Sequence, residues 1–491
     1  MSVLLSCSEQ KIRKDACWYA TFMFLYLLVN LFVLMRPSPH WDEILDWNGQ
    51  ATDTYLVAGR WAGWMYRMVF GVGMFQVTSG LIAGVYVALA LVIQTKLLQL
   101  DSPAFKFTYA ALYIGCNQIV TQLVYSFQSD TSMFGLLLAT VAVYVLVRFD
   151  KIIVSALILS VALGMYQSIG LCYLVLWAAV VLVQKQLSLR SLIRFALSAG
   201  LGIVVYFLVH KTILLLVDIP QNMIDYVKNY QLTTTNWRYI PEYDWKFKLI
   251  AFAFYFRQSV MQAFGNGETF NCVTASAIIP FVVLVWRRIR EKAGFVLKLG
   301  NIVLLLVIWY APFALTFLLL GFPGDRVCMA APLSAAFLWL LMLKEIPAGG
   351  KLAPVVLIVA LLVVVKAAYT NGIRARQEAY EHDYAVKQLH EMYYHARSVA
   401  ASSQLRQYEI ILMADGENTN PVFKFSAPEY FKSSVLDWYA SHYRLHGLRQ
   451  ADESDYTKYA DVMKTMPHWP DLNSIKQVDG DIIIRLSAEQ E

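Results

Sequence analysis

The chain has 491 residues, 58% of them hydrophobic and only 15% charged, with a mean hydropathy of +0.48. A soluble domain averages about 25% charge and about 45–50% apolar residues, so an ordinary soluble enzyme and a disordered regulator are both excluded. The net charge of +6 is unevenly divided: residues 370–491 hold 13 Lys and Arg against 18 Asp and Glu, and residues 1–369 hold 28 against 17.

The basic excess therefore sits beside the apolar blocks, where basic loops next to membrane spans are ordinary. No nucleic-acid partner is expected. The six cysteines form no CxxC pair and leave the polar tail with none, so neither a disulfide framework nor a zinc site is implied.

In chain order, the first apolar run, 16–35, follows Lys11, Arg13 and Lys14 and is long enough to cross about 30 Å of hydrocarbon. It reads as an uncleaved signal anchor with a cytoplasmic N-terminus. Further spans are expected at 74–94, 104–124, 132–147, 152–166, 168–184, 195–217, 270–286, 299–320, 328–343 and 352–369, which makes eleven. Alternating them places Lys96 and Lys106, Arg148 and Lys151, Lys185 with Arg190 and Arg194, the Arg287 to Lys292 cluster, and Lys344 with Lys351 on the cytoplasmic side. Every inner loop then obeys the positive-inside rule, and the tail lies outside. Residues 247–264 are apolar enough to span, but spanning would throw the Arg287 cluster outside. They read as an interfacial or re-entrant helix with Arg257 at the polar boundary; twelve spans is the alternative.

The polar constellations fall in the outer loops. The first, 36–73, carries Trp41, Asp42, Glu43, Asp46 and Trp47, then Asp53, then Gly59-Arg60-Trp61. The loop after the third span reads Ser126-Phe-Gln128-Ser-Asp130, the hinge between the fifth and sixth spans reads Gly164-Met-Tyr166-Gln167-Ser168, and the loop before the tenth ends in Asp325-Arg326. A second large outer loop covers 218–269. Each has a plain structural reading, as solvating charges, a turn pair or backbone satisfaction where two spans meet. Their convergence on one face favours function, because ionisable residues at the membrane edge are costly.

The tail, 370–491, reads as a small α/β domain outside the membrane: a charged helical stretch over 371–401, strands at 408–414 and 481–486, and a helix over 427–443. Acceptor recognition and a stabilising cap are equally good readings of it.

A carboxylate at the outer surface with arginines nearby suits transfer from a lipid-linked anionic donor to a hydroxyl. The carboxylate takes the hydroxyl proton as general base, and a planar guanidinium holds the departing phosphate. The tryptophans either stack on sugar rings or anchor the loop at headgroup level. No GxxxxGK[ST] loop, strand-linked GxGxxG or DxD in a soluble segment is present, so the energy comes from the donor or from an ion gradient.

At these residues the sequence resembles the serotype-converting O-antigen glucosyltransferases, the glucosyltransferase type II (Gtr) family. The resemblance rests on Asp42-Glu43 followed by Gly59-Arg60-Trp61, on Tyr166-Gln167-Ser168, on Arg326 ahead of a late span, and on a polar C-terminal outer domain. It covers most of 16–400 in layout. It implies an α-helical polytopic GT-C-type enzyme of the bacterial inner membrane, with 1–369 as the membrane glycosyltransferase domain and 370–491 as a periplasmic α/β domain. Such enzymes are inverting hexosyltransferases. They take glucose from undecaprenyl-phosphate glucose, made by a partner glycosyltransferase and delivered by a flippase, and add it to a hydroxyl of O-antigen or another surface polysaccharide of the lipopolysaccharide.

Carried over, the resemblance makes Asp42 and Glu43 the catalytic pair. The family more often shows two aspartates there, which favours Asp42 as base and leaves Glu43 open. Arg60 and Arg326 become donor-phosphate ligands, and Tyr166, Gln167, Trp41 and Trp61 line the site, with Asp130 as an acceptor or metal contact. No organic cofactor is implied, and assistance by a divalent metal is left open. The competing classes are a lipid-linked sugar flippase or transporter, and a polysaccharide polymerase or ligase. A transporter usually shows repeated halves with polar groups at mid-membrane; no internal repeat is evident here, and the polar groups cluster at one face.

Overall fold

In hydrocarbon, backbone N–H and C=O groups find no water, so apolar runs fold as helices that satisfy those groups internally. The computed structural model describes residues 2–35, 55–70, 76–124, 126–219, 221, 224, 245–265, 271–318, 327–346, 352–402, 408–414, 444–451, 453–469 and 471–486. Among these, six helices are long and apolar enough to cross a membrane: Val77–Leu97, Gln128–Phe149, Leu189–Leu216, Cys272–Arg290, Phe295–Thr316 and Pro354–Ile373. The chain is a polytopic α-helical membrane protein.

The helices are α1 (Ser2–Met35), α2 (Trp61–Phe70), α3 (Gln76–Leu97), α4 (Pro103–Ile114), α5 (Asn117–Val124), α6 (Ser126–Phe149), α7 (Ile152–Met165), α8 (Ile169–Gln184) and α9 (Leu189–Leu216). They continue with α10 (Trp245–Ala263), α11 (Cys272–Ser276), α12 (Ile278–Arg290), α13 (Phe295–Tyr310), α14 (Ala314–Leu318), α15 (Ala331–Glu345) and α16 (Leu352–Ser402). The chain divides into two compact units, the first running to Ala375 and the second built from Arg376 onward. In the first unit α3 packs on α1 and α6, α6 on α7 and α8, and α7 on α9 and α2. Helix α15 packs on α4, α8, α12 and α13, and every residue from Ala331 to Leu343 is buried. A helix apolar on all sides belongs inside, and the expected span 328–343 is this core helix.

The loops that alternation assigns to the inner face do meet one another. Lys96 Nζ lies 2.5 Å from Asp15 Oδ2, Lys344 Nζ donates to the Leu98 and Gln99 carbonyls at 3.1 and 2.9 Å, and Arg194 pairs with Asp150 at 2.6 Å. Groups assigned to the opposite face also meet. Gln167 Nε2 donates to the Ala58 carbonyl at 2.6 Å, and Asn271 Nδ2 donates to Gln118 Oε1 at 2.8 Å.

The structure departs from the sequence reading in several places. The expected span 104–124 is two helices, α4 and α5, broken at Gly115-Cys116. Polar partners repair the break: Asn371 Nδ2 donates to the Gly115 carbonyl at 3.4 Å, and Cys116 Sγ donates to Gln118 Oε1 at 2.8 Å. Residues 126–130, expected as a loop, are the first turns of α6, which places Asp130 inside the helix bundle. The last span and the charged stretch 371–401 form one helix, α16, because no proline falls between Pro354 and Pro421 and Gly372 alone does not stop it. The stretch 247–264, expected as an interfacial or re-entrant helix, is not a departure: it falls in α10, which carries Lys246, Lys248 and Arg257 and is not among the six long apolar helices.

The second unit holds β1 (Ile410–Ala414), β2 (Leu448–Gln450), α17 (Glu453–Thr465), β3 (Ile475–Val478) and β4 (Asp481–Leu486) in a sheet of order β2-β1-β4-β3. Strand β1 runs parallel to β2 and β4, and β3 pairs antiparallel with β4. Asp479 and Gly480 join that hairpin with φ of 51° and 95°, the two positive values that a tight primed turn requires. Ile410, Leu412, Ile482 and Ile484 face Leu389, Met392 and Ala396 of α16, while Ile411, Met413 and Ile483 face Tyr459 and Met463 of α17. The strict alternation follows from the period of two along a strand. The helix expected over 427–443 lies outside the described residues.

Candidate active site

The site is built around one turn. Residues 55–57 form a helical turn that closes when the Gly59 N–H donates to the Leu56 carbonyl at 3.0 Å and the Arg60 N–H to the Tyr55 carbonyl at 2.8 Å. Gly59 adopts φ +84°, and a Cβ there would meet Tyr206 Oη at 2.5 Å and Gln167 Nε2 at 2.8 Å. Only glycine meets both demands. Two side chains pin the turn from elsewhere in the chain: Tyr206 Oη, on α9, donates to the Gly59 carbonyl at 3.0 Å, and Gln167 Nε2, in the α7–α8 hinge, donates to the Ala58 carbonyl.

Arg60 emerges from this turn into an aromatic slot. Its guanidinium carbon lies 4.6 Å from the Tyr166 ring centroid and 5.5 Å from that of Tyr55, both rings being buried. Among the described residues it has no carboxylate partner, and its Nε is buried without an acceptor. The Tyr166 hydroxyl, the Ser168 hydroxyl and the Trp61 and Trp64 indole N–H groups are likewise buried without partners. Trp61 opens α2 and lies directly on Gly164, where a Cβ would fall 2.6 Å from the indole.

Two turns along α2, seven residues from Arg60 and so on the same helical face, stands Arg67. It forms a fork with Asp130, Nη2 to Oδ1 at 2.8 Å and Nη1 to Oδ2 at 3.4 Å, with both side chains at most 1% exposed. The Thr131 N–H also donates to Asp130 Oδ1 at 2.9 Å. Burial, and after it the Asp130 charge, pushes the neighbouring Tyr66 phenol above its ordinary range, so it stays a hydroxyl beside Tyr86 Oη at 3.4 Å. A buried pair like this one holds α2 to α6. It also occupies the carboxylate that the sequence reading assigned to acceptor or metal contact.

The structure thus brings together Arg60, Trp61, Tyr166 and Gln167 at one turn and places Asp130 beside the same short helix. Trp41, Asp42, Glu43 and Arg326 lie outside the described residues. Among the described residues, no group of three or more His, Cys, Asp or Glu is placed to hold a metal ion. Sequence reasoning passed over Arg67, Tyr55 and Tyr206. The heptad spacing from Arg60 was a usable signal for Arg67; Tyr206, inside an apolar run and 147 residues from Gly59, offered none.

The chemistry available is that of a half-buried planar cation with its flanks on aromatic rings and, among the described residues, no carboxylate neutralising it. Such a group suits a phosphate, whose oxygens match the guanidinium fork. A family model described as glucosyl transferase GtrII matches residues 9–343, more than half of the chain, a stretch that contains every residue of this site. No curated protein and no solved structure matches the chain.

Proposed function

The chain belongs to the GtrII glucosyl transferase family and is a membrane glucosyltransferase, and we propose that it moves glucose from a polyprenyl-phosphate donor to a hydroxyl of O-antigen or another surface polysaccharide. The reading places the reaction at the periplasmic face of the inner membrane, with eleven spans, an inner N-terminus and the unit after residue 369 outside. The donor is undecaprenyl-phosphate glucose supplied by a partner glycosyltransferase and a flippase. The observation that carries the reading is Arg60: a cation held in an aromatic slot with no carboxylate partner among the described residues, which an anionic donor would neutralise.

In this scheme the Asp42 carboxylate, with Glu43 beside it, accepts the proton of the acceptor hydroxyl. The freed oxygen attacks the anomeric carbon from the face opposite the phosphate, the bond from that carbon to the phosphate oxygen breaks, and the configuration inverts. The leaving polyprenyl phosphate carries away the bonding pair and is held by Arg60 and Arg326. Tyr166, Gln167, Trp41 and Trp61 line the sugar site, and Asp130 supports it through Arg67.

Full-length protein in lipid vesicles, given polyprenyl-phosphate glucose labelled in the sugar and lipopolysaccharide as acceptor, tests this. Asp42→Asn is expected to abolish transfer while the protein remains inserted. Arg60→Ala removes a charge-assisted contact of about 1.5–3 kcal/mol, which raises the donor KM about 10- to 100-fold. Undiminished transfer by Asp42→Asn removes the base, and wild-type transfer with a nucleotide-linked donor in place of the lipid overturns the donor class.

A further inference from the structure

At the bundle end away from the Arg60 turn, a cavity of about 740 Å³ lies among the ends of α8, α12 and α15. Its charge does not balance. Among the described residues, Lys185, Arg287, Arg288, Arg290 and Lys344 line it against only Glu291 and Glu345. Both carboxylates are already engaged: Glu345 pairs with Arg288 and lies 3.6 Å from Arg287, and Glu291 pairs with Arg288. Lys344 is directed to the Leu98 and Gln99 carbonyls, with Asp101 as the acidic group acting on it from outside the lining. Lys185 and Arg290 have no ion-pair partner among the described residues.

Apolar side chains complete the lining: Leu182 and Val183 at the end of α8, Trp286 on α12 and Leu341 on α15, with Trp286 54% exposed. The Arg290 guanidinium sits 4.2 Å from the Trp286 ring centroid, which ties the cationic part of the lining to the apolar part. The volume falls in the range of small-molecule sites, about 300–1,000 Å³. Cations and apolar side chains in one lining suit an amphiphile with a phosphate: the guanidinium and ammonium groups take the phosphate oxygens and the apolar residues take the adjoining chains. A free phosphate ion would leave the apolar residues unused.

We propose that this cavity binds the phosphodiester headgroup of an anionic membrane phospholipid, at a site separate from the Arg60 turn. It is independent of the donor and acceptor assigned above. The site gives the α8–α12–α15 end a lipid that neutralises the surplus charge and fixes the depth of that end at the headgroup layer.

The test uses full-length protein purified in detergent, exchanged with equal phosphatidylglycerol and phosphatidylcholine, with retained lipid counted by native mass spectrometry. The wild type should retain phosphatidylglycerol in preference to phosphatidylcholine. Lys185→Gln/Arg290→Gln removes two exposed cations that hold no ion pair, so folding is spared. The preference should fall about 30-fold, each basic residue contributing about a fivefold attraction. Arg190→Gln, an exposed basic residue outside the cavity, should leave it unchanged. A wild-type preference for phosphatidylglycerol in the double variant, an equal loss in Arg190→Gln, or displacement of the lipid by millimolar inorganic phosphate would each overturn the assignment, the last by making this a small-anion site.

Discussion

Gly59→Ala tests whether the turn that presents Arg60 is as tightly determined as its geometry indicates. An alanine at φ +84° costs about 1–2 kcal/mol against the left-handed region. The new Cβ also falls 2.5 Å from Tyr206 Oη and 2.8 Å from Gln167 Nε2. These are the two groups that donate to the Gly59 and Ala58 carbonyls, and losing both bonds costs about 0.5–1.5 kcal/mol each. The total, about 2–5 kcal/mol, falls on the turn rather than on the helix packing. Gln167 can swing aside, but Tyr206 is held in the bundle at 7% exposure. Relief therefore requires the turn to move by about 1 Å, and a displacement of that size near reacting groups costs about 100-fold in rate. Glucosyl transfer by Gly59→Ala in vesicles should fall by about that factor at normal insertion and abundance. Adding Tyr206→Phe removes the clashing oxygen and leaves the nearest ring atom at 3.7 Å, so the double variant should recover part of the rate. A wild-type rate for Gly59→Ala would refute the claim that this turn positions the site.

Asp130→Ala removes the carboxylate that pairs with the Arg67 guanidinium at 1% exposure. It should destabilise the protein by about 3–5 kcal/mol, seen as early melting in detergent, whereas Arg67→Met with Asp130→Leu should melt much closer to wild type; an undisturbed Asp130→Ala would show that the pair does not hold α2 to α6. Gly164→Val drives a branched side chain into Trp61, whose ring is 2.6 Å from the Cβ position, and should lower transfer, while Gly200→Ala, with nothing within 4 Å, should be neutral or stabilising by about 0.5–1 kcal/mol. Equal rates for Gly164→Val and wild type would detach Trp61 from the site.

Much of the bundle was legible because its signals are local. An apolar run announces a helix by length, and Gly164 to Ser168, where one run pauses, announced the hinge that holds Gln167. The strands at 408–414 and 481–486 were visible as apolar runs closed by polar residues, and they pair in register from Ile410 with Ile482. What stayed hidden depends on distant partners. Ser126 to Asp130 looks like a loop because it is polar, yet it folds as helix because Arg67, 63 residues earlier, supplies the countercharge that lets Asp130 enter the bundle. The kink at Gly115-Cys116 similarly depends on Asn271 and Asn371, which no local window contains. Strands β2 and β3 are too short to stand out, at three and four residues, and become strands only by pairing with β1 and β4.

The shortness of α7 and α8 explains why the Arg60 turn lies where it does. At about 1.5 Å per residue, their 14 and 16 residues reach about 21 and 24 Å, less than the roughly 30 Å of hydrocarbon. Helix α9 has 28 residues and reaches about 42 Å. The Asp150–Arg194 pair sets α7 and α9 level at one end, so the Tyr166–Ser168 hinge stops partway along α9, beside Tyr206, which stands about 25 Å from the start of that helix. The ten residues of α9 beyond Tyr206 rise about 15 Å further, with Phe207, Leu208, Leu215 and Leu216 exposed. The Gly59–Arg60 turn, bonded to both Gln167 and Tyr206, is therefore recessed beside an apolar wall. A cation at such depth with no carboxylate partner among the described residues is costly. The cost falls when an anion on an apolar chain comes alongside, and a polyprenyl phosphate has that form. Lengthening α7 by one turn would lift the hinge by about 5 Å and expose Arg60 to water, removing the reason for a lipid-borne phosphate to enter. Under the proposed donor assignment, two short helices thus favour a membrane-embedded donor.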